Sequence, residues 1–541
     1  MIKADIYGIN IILETDQPTF LKGILEFYTA ERRFDWRTKK MDFMTVHKKI
    51  YNRSKKDPKT GLYYYEIGVG WAAYLLNILG PFIQEEDMNH LKDSIYQDQY
   101  RTVPFPNLRE QQNDDVLHIL KYKYGLCTVQ TGYGKTEVIA TLANYFSTDL
   151  GKKVLIVAPG SKAQDELVKR LDTRFGIKVS KELVSTALTK KAAEFAKNSR
   201  VFSLITGGFL SRNVLKDKTT EPLVAAELGT FDVVLSDEVE YCINPAGNYI
   251  FEHASNAFAR YAFSGTADKG NGSMISFQNG LKDPSVSENI GLIRFFGPSL
   301  IYRRPLDRKL NLIDIKTSSL YNANIYDPGV IDGGNLYLRI LTSLFTCPEV
   351  CNLIVDIAKR FKNLFIPINY LQGIIDGWIE NYFKGILRVL LVCGEGYLYY
   401  DLDGSRTSLT LSEACQYIRD DKVDVIPSTS AGFRALDFPN LSNILLLSGK
   451  IAGSVLQQIG RVSRQSEMTI ITLSPDGKKK IPVYSKGCKE RSDMILDYYR
   501  YCDIRQESLT EYEFNNKYSY LPRFQGELPA YNGVFYPGLQ G

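Results

Sequence analysis

The chain has 541 residues, 44% of them hydrophobic and 23% charged, enough apolar material for two or three cores of ordinary domain size. Its formal net charge of +5 is small for that length, which excludes a globally basic coat and makes any nucleic-acid surface a local one. No run approaches the roughly 18 uncharged apolar residues of a membrane span. The N-terminus has no signal-peptide pattern, and eight cysteines without a Cys-x-x-Cys pair, beside only four histidines, offer no zinc site, so a soluble protein of the reducing cytoplasm is expected.

Residues 1–100 are read as a small α+β accessory domain. Within it, residues 31–60 hold eleven Lys/Arg against four Asp/Glu, a local balance of +7. Asp57-Pro-Lys-Thr-Gly61 predicts a turn and Leu62-Tyr-Tyr-Tyr65 a strand, so Lys55, Lys56 and Lys59 crowd one hairpin beside aromatic rings. That combination suits phosphate contact and base stacking, although a charged turn is also commonly no more than solvated.

From Leu108 to about Pro298, buried strands alternate with helices such as Lys162 to Asp172 and Lys190 to Lys197, the pattern of a parallel sheet. Tyr124-Gly-Leu-Cys-Thr-Val-Gln130 reads as a buried strand and Glu137 to Phe146 as a helix, with Thr131-Gly-Tyr-Gly-Lys-Thr136 between them. Gly132 and Gly134 let the backbone curl around phosphate oxygens at a helix N-terminus; Lys135 reaches the outer phosphates and Thr136 a magnesium ion. An ordinary glycine turn is the bland alternative. Phe231-Asp-Val-Val-Leu-Ser-Asp-Glu-Val-Glu240 is a buried strand ending in paired carboxylates: Asp237 suits the metal and Glu238 the polarisation of a water that attacks the γ-phosphate.

A segment around Tyr302 to Ile315, and the Gly/Asn/Asp-rich Tyr321 to Asn335, read as a linker spanning 303–345. A second alternating block follows, with Val389-Leu-Leu-Val-Cys393 and Ile444-Leu-Leu-Leu447 as its clearest strands. Cys347 and Cys351, four apart on a helical stretch, read as core packing. Near the end of this block, Gln457-Gln-Ile-Gly-Arg-Val-Ser-Arg464 places two guanidinium forks three residues apart. Arg461 and Arg464 suit transition-state charge on a γ-phosphate, and Gln457 the placing of the water. The tail, 491–541, is Tyr-rich and is expected to drape over the second block rather than serve as a partner-docking arm.

In order, these elements resemble the superfamily 2 helicases, and most of all the phage UvsW-type ATP-dependent branched-DNA helicases. The resemblance covers roughly residues 105 to 500. It adds Leu108-Arg-Glu-Gln-Gln112, whose Gln112 inherits adenine recognition. Val154-Leu-Ile-Val-Ala-Pro159 and Ile205-Thr-Gly-Gly208 match two backbone-touching motifs, which assigns nucleic-acid contact to Pro159, Thr206 and Gly207. Ser264-Gly-Thr266 matches the link between hydrolysis and grip, giving Ser264 and Thr266 a coupling role, and Phe296-Gly-Pro298 a turn that follows it. Phe365-Ile-Pro-Ile-Asn369 matches a strand of the second motor domain. Thr429 to Pro439 matches a further motif, which puts Thr429 on nucleic acid and Asp437 on the nucleotide. Departures are Glu240, where relatives carry His or Asp, Ala435 in place of glycine, and Pro159-Gly-Ser-Lys-Ala163 without the usual Thr-x-x-Leu.

The resemblance implies an α/β fold of two tandem RecA-like parallel-sheet motor domains, at 101–302 and 346–490, with a nucleotide cleft between them and the accessory domain ahead. It implies ATP and Mg2+ as cofactors, DNA (single-stranded, forked or branched) as partner, 3′ to 5′ movement, and work in replication, recombination or repair in a phage-infected host. The small domain that UvsW-type proteins carry at this place favours a nucleic-acid role for the basic hairpin. An RNA helicase or remodeller shares the motif set, since no residue advertises contact with a 2′-hydroxyl. A nucleotide-gated DNA clamp without translocation is the rival from another class.

Overall fold

The computed structural model describes residues 2–35, 40–130, 132–214, 219–265, 291–303, 308–323, 343–368, 377–393, 396–429, 441–447, 459, 466–477 and 482–525. The chain forms two compact units, Met1–Arg304 and Pro305–Gly541.

The first unit opens with β1 (Ile2–Tyr7), β2 (Asn10–Thr15), α1 (Pro18–Leu25), the long hairpin β3 (Glu26–Asp35) and β4 (Lys40–Lys49), then β5 (Tyr51–Lys56), β6 (Tyr63–Gly68), α2 (Ala72–Leu79) and α3 (Glu85–Ile95). The antiparallel order is β1-β2-β6-β5. Period two explains β2: Ile11 and Leu13 are buried while Asn10, Ile12 and Glu14 are only partly covered. The predicted turn closes β5 onto β6, with Asp57 accepting from the Lys59 N–H at 2.9 Å and from the Thr60 hydroxyl at 3.0 Å, and Gly61 in the left-handed region at φ 75°.

After α4 (Glu110–Ile119) the chain builds β7 (Tyr124–Val129), α5 (Lys135–Asn144), β8 (Val154–Ala158), α6 (Ser161–Phe175), β9 (Val179–Ser180), α7 (Lys190–Asn198), β10 (Val201–Ile205), α8 (Thr220–Leu228), β11 (Val233–Asp237), α9 (Val239–Cys242), α10 (Pro245–His253), β12 (Ala259–Ser264) and β13 (Ser299–Arg303). The sheet order is β13-β7-β12-β11-β8-β10-β9, and every pairing is parallel. Strands β7, β8, β11 and β12 are buried at every position because both faces are covered. One face packs Val129, Ile156 and Leu235 against α5 residues Ile139 and Leu142. The other packs Leu155, Val157, Phe202 and Val234 into a core that also takes in Ile2, Leu13, Trp71 and Leu75. That shared core joins residues 1–100 to the motor sheet within one unit, so the boundary expected at residue 100 is not a gap between cores. The seam is tight: a Cβ on Gly70 would fall 1.7 Å from the Ile293 carbonyl oxygen, and the Phe296-Gly-Pro298 turn beside it needs Gly297 at φ 72°.

The second unit is a nine-stranded sheet of β14 (Lys309–Thr317), β15 (Leu364–Pro367), β16 (Val389–Cys393), β17 (Gly396–Tyr400), β18 (Arg406–Leu409), β19 (Val425–Ser428), β20 (Asn443–Leu446), β21 (Glu467–Pro475) and β22 (Asp503–Thr510). The order is β18-β17-β16-β19-β15-β20-β21-β14-β22, parallel from β16 to β22 with an antiparallel β16-β17-β18 edge. With the first sheet, this gives the expected α/β fold of two RecA-like parallel-sheet domains.

Two segments depart from their sequence reading. Lys309 to Thr317, inside the expected linker, is strand β14, pairing with β21 over nine residues and burying Leu310, Leu312, Ile313 and Ile315. The Gly/Asn/Asp-rich composition that follows it gives the whole stretch a loop-like character, and residues 324–342 lie outside the described residues. The tail contributes β22 and then packs as expected on the same unit. Arg360 donates to the Tyr518 carbonyl at 2.8 Å, Tyr520 to Asp356 at 2.6 Å, and Arg523 bridges Asp421 and Asp424 at 3.0 and 2.8 Å. Cys347 and Cys351 are buried, and all eight cysteines are free. Among the described residues no helix is long and apolar enough to cross a membrane, and no His/Cys/Asp/Glu group is arranged to hold a metal.

Candidate nucleotide site and its neighbouring loops

Because all strands of the first motor sheet run parallel, their carboxyl ends share one edge, where ligands of such sheets bind. The loops after β7, β12, β11, β8 and β10 all leave from that edge, and each carries one of the singled-out motifs.

The loop after β7 bends at Gly132 (φ 82°) and Gly134 (φ 93°), and α5 begins at Lys135, so the open N–H groups of its first turn stand beside Thr136. Helix α4 fixes this loop from below. Gln112, 3% exposed, donates from Nε2 to the Tyr133 carbonyl at 2.7 Å and accepts from the Arg109 N–H at 3.0 Å; Arg109 donates to the same carbonyl, and the Tyr133 hydroxyl donates to Asp115 at 2.7 Å. A Cβ on Gly134 would lie 2.7 Å from Gln112 Nε2, so the close approach requires glycine as much as the positive φ does. Arg109, Asp115 and Tyr133 were not evident from sequence as loop supports, because the pairings span 18 to 24 residues and no short motif encodes them.

Two strands away, β11 ends at Asp237, level with Phe263 of β12, while Ser264 of β12 is level with Thr128 of β7. Ser264 is fully buried between the glycine loop's strand and the carboxylates. Glu238 stands at φ 46°, ψ 51°, a left-handed conformation that costs a non-glycine residue about 1–2 kcal/mol. This turn brings its Oε1 to 3.0 Å from Lys135 Nζ. Burial pulls the Lys135 ammonium down, but the Glu238, Asp237 and Glu240 carboxylates outweigh it and its pKa is raised. Asp237 is 8% exposed; burial and the neighbouring Glu238 charge push its carboxyl up to about 7, against the pull of Lys135. Hard carboxylate and hydroxyl oxygens from Asp237 and Thr136 are the donor types that Mg2+ takes, and a buried, charge-crowded Asp237 is one that a cation relieves.

Farther along the edge, Thr206 (4% exposed) follows β10 and its N–H donates to the Ala158 carbonyl at 3.1 Å, tying it to the end of β8 next to Pro159. Gly207 is exposed and Pro159 half-buried. Asn244, not singled out from sequence, donates from Nδ2 to Thr206 Oγ1 at 3.2 Å; the Asn-Pro pair at 244–245 is a helix-start signal that could have drawn notice, but as a cap alone.

On the accessory hairpin, Lys55, Lys56 and Lys59 are all exposed, Lys55 pairing across the strands with Tyr64 and Lys56 with Tyr63, whose ring lies 5.4 Å from the Lys56 ammonium. In the second unit Thr429 (9% exposed) follows β19 and its N–H donates to the Val392 carbonyl at 2.9 Å. Thr131, Thr266, Asp437, Gln457, Arg461 and Arg464 lie outside the described residues.

Residues 100–269 match the family described as "Type III restriction enzyme, res subunit" (ResIII). No curated protein matches the chain. Among solved structures, bacteriophage T4 UvsW is similar at 17% identity, covering 94% of this chain and 99% of its own, with a TM-score of 0.37. Saccharomyces cerevisiae Dbp5 bound to RNA and ADP BeF3 is similar at 13% identity over 76% and 92% of the two chains, TM-score 0.45. Mycobacterium smegmatis helicase Lhr bound to ssDNA and AMP-PNP is similar at 16% identity over 75% and 49%, TM-score 0.44. The family match runs across the glycine loop, the Asp-Glu pair and Ser264. The chain is thus an ATP-driven enzyme of helicase type, resembling the superfamily 2 helicases to which its motif order points.

Proposed function

We propose that the protein is an ATP- and Mg2+-dependent DNA translocase that unwinds or branch-migrates forked or branched DNA, phage-encoded and serving replication, recombination or repair. The observation that carries this reading is the 3.0 Å pair between Lys135 and Glu238 on the carboxyl edge of a parallel sheet, beside a glycine loop opening a helix. In this reading a nucleoside triphosphate takes the place of that pair. Its phosphates take the N–H groups of the loop and of α5's first turn, Lys135 turns to the outer phosphates, and Gln112 lies under the loop on the adenine side. Glu238, freed from Lys135, is then placed to polarise water. Asp237 and Thr136 would hold Mg2+, which when bound neutralises phosphate charge. Arg461, Arg464 and Gln457 supply the remaining transition-state contacts in this reading, with Asp437 on the nucleotide.

Pro159, Thr206, Gly207 and Thr429 grip the nucleic-acid backbone, Ser264 and Thr266 relay the state of the nucleotide, and Lys55, Lys56 and Lys59 add phosphate contacts on the accessory hairpin. The test is ATPase activity of wild type and Lys135→Ala titrated with single-stranded DNA, duplex, a branched junction and single-stranded RNA. Stimulation strongest on the junction and absent in the variant is the expected result. Preference for RNA moves the reading to an RNA remodeller, and a Lys135→Ala that hydrolyses ATP normally removes the active-site assignment.

A further inference from the structure

We propose that Asn244 is a positioning residue that couples the hydrolysis carboxylates to the backbone-gripping loops of the first motor sheet. The inference rests on the reading above, in which Asp237 and Glu238 serve ATP while Pro159 and Thr206 touch nucleic acid.

Its basis is one side chain that bonds Thr206 of one motif directly and, through its neighbours, links the carboxylate motif and the end of β8. Past Asp237 and Glu238 the chain turns through α9, and this turn is tied to both carboxylate residues: the Tyr241 N–H donates to the Glu238 carbonyl at 3.0 Å and Cys242 Sγ to the Asp237 carbonyl at 3.5 Å. Asn244 comes next. Its two amide protons are divided, one to the Tyr241 carbonyl at 2.8 Å and the other to Thr206 Oγ1 at 3.2 Å. Its Oδ1 accepts from the Ala246 and Gly247 N–H groups, both at 3.0 Å, and so caps α10. Thr206 in turn holds the Ala158 carbonyl at 3.1 Å, one residue before Pro159. A continuous bonded path therefore runs from Glu238 through Tyr241, Asn244 and Thr206 to the end of β8.

The path has little slack. A Cβ on Gly247 would stand 1.7 Å from the Cys242 carbonyl oxygen and 3.3 Å from Thr206 Cγ2, so α10 is in backbone contact with the α9 turn and packs closely on the Thr206 side chain. Close-packed elements of this kind shift together rather than deform. Glu238 is the end of the path that must move, since its pairing with Lys135 and a phosphate's claim on Lys135 exclude one another. Its left-handed backbone joins the side chain's movement directly to the turn. Such a coupling is reciprocal: nucleic acid that fixes Thr206 biases Glu238, and nucleotide that frees Glu238 biases Thr206.

Two variants separate this role from helix capping. Serine is as good a cap as asparagine, yet it has no amide to reach Thr206 and the Tyr241 carbonyl, whereas alanine loses both functions. ATPase rates with and without saturating single-stranded DNA, the KM for ATP, and Tm are measured for wild type, Asn244→Ser and Asn244→Ala. The expected result is that Asn244→Ser keeps the wild-type Tm, basal rate and KM for ATP but loses about five-fold or more of the stimulation ratio, while Asn244→Ala loses the same ratio and also Tm. An Asn244→Ser indistinguishable from wild type, or one whose basal and stimulated rates fall together, overturns the coupling role and leaves the ATPase reading standing. A wild type that hydrolyses ATP without any response to DNA or RNA overturns the parent reading and this inference with it.

Discussion

The carboxyl edge around Lys135, Asp237 and Glu238 and the β5–β6 hairpin around Lys55, Lys56 and Lys59 are both charged regions of the first unit, built in opposite ways. On the edge, charges are partly or wholly withdrawn from water and held by strand register, a strained Glu238 and a loop pinned by three side chains of α4 and its cap. On the hairpin they stand exposed, Lys55 and Lys56 on β5 and Lys59 in the turn that follows, with a cation–π contact from Lys56 to the Tyr63 ring. Buried charge is costly unless it is used, so its placement argues for chemistry; exposed charge costs little and argues only for a field.

The sharpest break of this contrast is Lys135→Ala, expected to lower the ATPase rate by about 10²–10³-fold, the range seen when one preorganised electrostatic interaction with a transition state is removed. Steady-state hydrolysis at saturating DNA reads it. Gly247→Ala attacks the rigidity behind the edge. Its methyl group has no room against the Cys242 carbonyl, and a loss of about 3 kcal/mol in chemical denaturation is expected.

Asp237→Asn sharpens the comparison through pH. The folded carboxyl is raised to about 7 from an ordinary 3.8, so between those values the folded state retains a proton that the unfolded chain has released. Wild-type stability without Mg2+ therefore falls as pH rises through that window. The asparagine variant lacks this loss. Its Tm advantage over wild type is expected at pH 8 and absent near pH 4, and a difference that does not grow with pH would place Asp237 in a more polar setting. The smallest effect belongs to the hairpin: neutralising Lys55, Lys56 and Lys59 together should flatten the salt dependence of single-strand binding by about 0.7 for each phosphate that these lysines neutralise. An unchanged slope and affinity would leave them as solvated surface.

The same contrast governs what was legible in the sequence. Phosphate and metal chemistry demands particular residues at fixed places, so Gly132, Gly134, Lys135 and Asp237 could be named before their geometry was known, and β7, β8, α7 and β16 fall within a residue or two of expectation. The supports could not be named. Arg109, Asp115 and Asn244 act through partners 18 to 38 residues away, and a capping asparagine looks the same whether or not its amide reaches a second loop. Strand β14 was hidden for a related reason. Its partners β21 and β22 lie more than 150 residues downstream, and only that pairing distinguishes a buried strand from an apolar stretch of linker.

The central claim is tested most directly by measuring strand displacement on a forked or branched DNA together with ATP consumed. The account predicts displacement that rises in proportion to ATP turned over and disappears in Lys135→Ala. Nucleotide-dependent binding of the same DNA with little displacement would contradict it and identify a clamp.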